Sequence, residues 1–185
     1  MTNTELLELS GTAYHTAKSK GFFCDTQPDN AYIAAIHEEL SEAFRAWNKH
    51  LGWATFDGKP DGVYFELVDA VIRVLSFCGY KGIQLVEYDF ETDRPYDKDD
   101  ICDVIVRSHL AIAQAAELLE RDDFIDDFEE ELNMKCVSSM LSSFIARIEL
   151  FIDESTDNKF TLTDLILIKL RYNSSRGMKH GGNEV

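Results

Sequence analysis

Two pairs of carboxylates stand at helical spacing in the first half of the chain, Glu39 with Glu42 and Glu66 with Asp69. Residues three apart lie on neighbouring turns of one helix face, so each helix presents two acidic groups side by side. Like charges placed this way repel, and a carboxylate in an apolar setting also loses hydration. A divalent cation offsets both costs. Four oxygen donors with no histidine or cysteine at ligand spacing favour Mg²⁺, with Mn²⁺ as the alternative, over zinc. A di-iron bundle normally adds Glu-x-x-His pairs, and the sequence has none. Taken alone, Glu38-Glu39-Leu40-Ser41-Glu42 reads as a solvated helix face. Glu66 and Asp69 do not, because they interrupt a segment that is apolar on most of its circumference.

The elements that must hold these groups are helices. Residues 5–20 form an amphipathic stretch closed by Gly21, and Asp29 or Asn30 is placed to cap a second helix with the stripe Ile33, Ile36, Leu40, Phe44 and Trp47. The glycine-rich stretch 51–62 reverses the chain. Residues 63–78 predict an interior third helix that stops at Gly79. An acidic, aromatic connection over 87–100 contains Pro95, and helical periodicity resumes over 101–120. An acidic stretch over 121–131 leads to further helices over 134–153 and 163–172, before a glycine-broken tail. No strand-like alternation is sustained, so the expectation is an all-α bundle forming a single domain over 1–185. A shift of 72 positions (109 − 37) lays His109 and its apolar follow-on over His37 and the first acidic motif. A shift of 73 (139 − 66) brings Ser139 and Ser142 onto Glu66 and Asp69. This pattern is that of a degenerate internal repeat whose second half lost its carboxylates.

Composition narrows the partners. A net charge of -16 excludes general affinity for nucleic acid polymers or anionic membranes, which require an extended basic surface. No apolar run reaches the length of a membrane helix, and residues near the N-terminus lack a signal peptide's pattern, so a cytoplasmic location is expected. The four cysteines, Cys24, Cys78, Cys102 and Cys136, are widely spaced and read as reduced core thiols.

The motifs Glu38-Glu39-x-x-Glu42 and Glu66-x-x-Asp69, separated by 23 residues (66 − 42 − 1), resemble those of the MazG-like all-α nucleoside triphosphate pyrophosphohydrolases. The likeness continues through Lys59-Pro60-Asp61-Gly62 and Glu66 to Arg73, and returns in Lys169, Tyr172-Asn173, Arg176 and Lys179-His180-Gly181-Gly182. Residues 87–157 are recognisable only as a generic helical region. The resemblance implies hydrolysis of a nucleoside triphosphate to the monophosphate and pyrophosphate. It places metal ligands at Glu39, Glu42, Glu66 and Asp69, with Glu38 and Glu39 as catalytic helpers, and it implies a homodimer or higher homo-oligomer. Asn183 departs from the basic residue that commonly ends the family's tail.

Between Lys169 and Lys179 four basic residues and no acidic one occur, a local reversal in a strongly acidic chain. Lys169, Asn173 and Arg176 are spaced to point from one side of a last helix at phosphates, with Lys179 and the loop residue Lys59 as further contacts. Trp47 and Trp53 are candidates for stacking on a base, although Trp47 lies on the apolar stripe. Two alternatives keep the fold and change the substrate: a dUTPase-like and a phosphoribosyl-ATP pyrophosphohydrolase activity. A third is a catalytically silent helical protein that binds nucleotides or partners.

Overall fold

The computed structural model describes residues 1–23, 27–56, 58–88, 100–121 and 126–175. Six helices follow in order: α1 (Asn3–Ser19), α2 (Asp29–Asn48), α3 (Val63–Lys81), α4 (Ile101–Leu119), α5 (Asp127–Ser155) and α6 (Leu162–Ser175). Among the described residues there is no strand, only an isolated bridge between Thr55 and Asp61, so the chain is all-α.

Helix α3 is the axis of the bundle. It packs against α1, α2, α5 and α6. Its apolar residues Phe65, Leu67, Val68, Val71, Val74, Leu75 and Phe77 are all fully buried, as expected of a helix apolar on nearly every side. Its entry is fixed by backbone rather than by a side-chain cap. Gly62 sits at φ 107, and a Cβ there would lie 3.0 Å from Gly52 O and Trp53 O. Those two carbonyls accept from Val63 N (3.1 Å) and Tyr64 N (2.8 Å), so the otherwise unpaired first N–H groups of the helix are satisfied. This anchorage sets where Glu66 and Asp69 emerge.

Several local expectations change. Helix α3 does not stop at Gly79 but runs to Lys81 and is capped by Gly82 in the left-handed region. At Gly79 a Cβ would fall 2.7 Å from Ser10 O and 2.8 Å from Tyr14 Cβ, so glycine there permits the close crossing of α1. Neither Asp29 nor Asn30 caps α2. Pro28 occupies that position, while Asp29 pairs with Lys81 at 2.7 Å and Asn30 bonds to Glu120. On α2 the buried side is Ile33, Ile36, Leu40, Ala43 and Ala46, whereas Phe44 is 42% exposed and Trp47 half-buried, because helical twist carries a stripe read at spacings of four off the core. The acidic stretch before residue 134 is largely the first turns of α5, capped by the Asp126 carboxylate on Glu129 N. Of the cysteines, Cys78 alone among those described is buried; Cys102 and Cys136 are exposed thiols. Cys24, Pro95 and most of the 87–100 connection lie outside the described residues.

The α4–α5 pair packs together as α2 and α3 do, with α4 against α2 and α5 against α3. His37 and His109, the residues brought together by the 72-position shift, touch one another. Their Nδ1 atoms are 2.7 Å apart and the rings stack at 5.0 Å with an interplanar angle of 11°. Ser142, the counterpart of Asp69, has its hydroxyl occupied by the N–H of Val86 at 3.0 Å.

Candidate functional site

A cavity of about 240 Å³ opens between α1, α2, α3 and α6. One end is polar, with Glu39 and Glu42 from α2, Glu66, Asp69 and Arg73 from α3, Lys169 and Asn173 from α6, and Lys59 from the loop before α3. All four carboxylates expected as metal ligands therefore share one cavity. Three of them, Glu39, Glu42 and Glu66, bring ligand oxygens within 4.8 Å of one another.

Two of the four acids already carry internal counter-charges. Arg73, one turn beyond Asp69 on α3, donates from Nε (3.1 Å) and Nη2 (2.9 Å) to the same Oε1 of Glu39. Lys169 reaches Asp69 Oδ2 at 2.6 Å and donates to Pro60 O at 3.2 Å. Its side chain is only 4% exposed and its ammonium lies 5.7 Å from the Phe65 ring centre, so it is fixed in place rather than swinging in solvent. Glu42 has only a long 3.8 Å contact with the exposed Arg45.

The electrostatics follow from this crowding. Burial pushes Glu66 from 4.5 up to about 7, with Asp69, Glu42 and Glu39 adding repulsion against the pull of Lys169. Burial also raises Glu39, opposed chiefly by Arg73, and raises Asp69, opposed chiefly by Lys169. In contrast, the Gly62 N–H holds the Asp61 carboxyl below its ordinary value. A cluster that resists ionisation in the absence of a cation, built wholly of carboxylate oxygens, fits a hard divalent ion such as Mg²⁺ or Mn²⁺.

Other expected residues are placed differently. Glu38 is exposed on α2 and is not part of the cavity wall, since it is rotated about 100° around the helix from Glu39. Lys59 is exposed at the rim, and Asn173 follows Lys169 by one turn on the same wall. Arg176, Lys179 and His180 lie outside the described residues. Trp47 and Trp53 do not line the cavity; Trp53 stacks on Tyr64 at 5.2 Å.

The opposite end of the cavity was not anticipated. Phe22, Phe23 and Tyr32 form an aromatic wall, faced by Ala13 and Ala17 of α1 and Ala35 of α2. Arg73 joins the two ends, because the guanidinium that holds Glu39 also lies 5.3 Å from the Phe22 ring centre. The available signal was the Phe22-Phe23 doublet directly after Gly21, an aromatic pair in a connection that needs no core residues.

No helix among the described residues is long and apolar enough to cross a membrane. Comparison with known proteins finds no matching family, no similar characterised protein and no similar solved structure, so the functional reading of this chain rests on the site itself.

Proposed function

We propose that the chain is a MazG-like pyrophosphohydrolase that, with Mg²⁺, hydrolyses a nucleoside or deoxynucleoside triphosphate to the monophosphate and pyrophosphate. The observation that carries this reading is a single cavity with carboxylates and fixed cations at one end and an aromatic wall at the other. Phosphates and a base need those two environments at once.

In this reading Glu39, Glu42 and Glu66 hold the metal together with Asp69. When bound, the ion neutralises phosphate charge and increases the acidity of a bound water. Arg73 orients Glu39 by binding one of its oxygens and leaving the other for the ion. Lys169 and Asn173 line the path of the phosphate chain, and Lys59 meets it at the rim. A cavity carboxylate accepts the proton of the attacking water; Glu38, on the solvent side of α2, is not positioned for that task. The degenerate duplication stands as part of the proposal, supported by the His37–His109 contact, because residues related by a two-fold axis touch only beside it. A homo-oligomer is supported by Val106 and Leu110, one turn apart on α4 and 64% and 56% exposed.

The test is a panel of ribo- and deoxynucleoside triphosphates, including dUTP and phosphoribosyl-ATP, incubated with Mg²⁺ and monitored for pyrophosphate. Release from at least one is expected, with a loss of at least about 100-fold in Glu42→Gln at unchanged helical content. Folded protein that releases pyrophosphate from none of them would support a silent binding protein and end the proposal.

A further inference from the structure

We propose that the aromatic end of the cavity is a slot for a single-ring base, so that this site takes pyrimidine rather than purine nucleotides, with Ala17 and Ala35 setting its depth. The inference rests on the pyrophosphohydrolase reading, which assigns the phosphates to the other end.

Strain marks the wall of the slot. Phe23 adopts φ 61, a left-handed backbone that non-glycine residues enter at a cost and that is concentrated where ligands are clamped. That conformation seats its ring 4.5 Å from Tyr32 and 4.9 Å from Tyr80, and Phe22 beside it lines the cavity. A row of stacked rings gives a flat apolar surface, which is what a base requires and a sugar or phosphate does not. The facing wall is made of alanines, so the open space exists because those side chains end at Cβ.

Size then decides between one ring and two. The cavity amounts to about 240 Å³ in all, below the roughly 300–1,000 Å³ usual for small-molecule sites. The sugar and the first phosphate must share that space with the base, which leaves room for a single ring. The hydroxyls of Thr16 and Ser76 on the same lining supply neutral donors and acceptors for the ring edge.

The experiment measures binding by calorimetry in Mg²⁺, using non-hydrolysable α,β-imido triphosphates of uridine, cytidine, adenosine and guanosine, with inorganic tripolyphosphate as the ring-free probe. Pyrimidine analogues are expected to bind at least about 10-fold tighter than purine analogues and than tripolyphosphate. Ala17→Leu and Ala35→Leu should weaken pyrimidine binding by a similar factor while leaving tripolyphosphate within about 2-fold. Phe22→Leu removes a ring without adding bulk, and should weaken pyrimidine binding even if the alanine variants fail to fold. Purines binding as tightly as pyrimidines, or pyrimidine binding unmoved in Phe22→Leu, overturns the slot. Tripolyphosphate binding as tightly as every nucleotide removes the slot and leaves the phosphate end standing. If no polyphosphate binds at all, the reading of the whole site falls and the slot with it.

Discussion

Replacing Lys169 by Met keeps most of the stem that packs against Phe65 and deletes the charge that Asp69 faces at 2.6 Å. Removing one partner of a buried ion pair costs about 3–5 kcal/mol, because the remaining charge is left without compensation. Asp69 is 18% exposed towards the cavity, which places the expected loss near the lower end, about 3 kcal/mol. For a chain of this length each kcal/mol moves the midpoint by roughly 2–4 °C, so Lys169→Met should melt roughly 6–12 °C below wild type in EDTA. Adding Mg²⁺ should raise the variant more than it raises wild type, since the ion supplies the missing positive charge. A double variant, Asp69→Asn with Lys169→Met, should recover most of the loss in EDTA, because neither side of the pair is then charged. Melting followed by circular dichroism reads all three. A Lys169→Met midpoint within about 2 °C of wild type, or a double variant no more stable than the single one, would show that the pair does not hold α6 to α3 as argued.

Two further perturbations test the surroundings. Glu66 titrates near 7 in the folded protein against an ordinary 4.5, so between those values the folded state keeps a proton that the unfolded chain has released, and metal-free stability falls as pH rises through the window. The full shift corresponds to about 3 kcal/mol, reduced to roughly 1–2 kcal/mol by solvent at the open side of the cavity. Melting in EDTA from pH 4.5 to 8 should show a decline that is shallower in Glu66→Gln, and the stabilisation conferred by Mg²⁺ should grow over the same range; equal slopes in both proteins would contradict the assignment. Gly79→Ala gains about 1 kcal/mol of helix propensity but drives a Cβ to 2.7 Å from Ser10 O, for a net loss of about 2 kcal/mol and a midpoint roughly 4–8 °C lower; an unchanged midpoint would mean that α1 yields freely.

What could be read from the sequence was set by whether the signal is local. The period of apolar residues reports which faces of a helix are buried, and it correctly made α3 interior. Helix ends were less legible because they depend on partners elsewhere. Gly79 looks like a stop by composition, yet only the crossing of α1 explains a glycine inside the helix. The entry of α3 is held by carbonyls from Gly52 and Trp53, groups every residue possesses and no sequence pattern distinguishes. Phe44 illustrates the same limit on a helix face, since its spacing from Leu40 matched the stripe while the core had already turned towards Ala43 and Ala46.

The site divides along the same line. Its acidic half is visible because the four carboxylates occur in two short motifs, each readable on one helix. Its compensating half is not: Arg73 is an unremarkable arginine until the fold aims it across to Glu39, and Lys169 approaches Asp69 from a helix a hundred positions away. Yet the cations decide how the acids behave. Arg73 and Lys169 neutralise two of four negative charges, which lets the cluster fold without metal, and the two charges left over equal one divalent ion. More internal cations would have satisfied the carboxylates outright and left nothing for a metal to gain. Fewer would have left four buried charges repelling one another, at a cost that marginal folding stability could not offset. The arrangement found between those limits is the one in which the protein is stable empty and still gains by binding a cation.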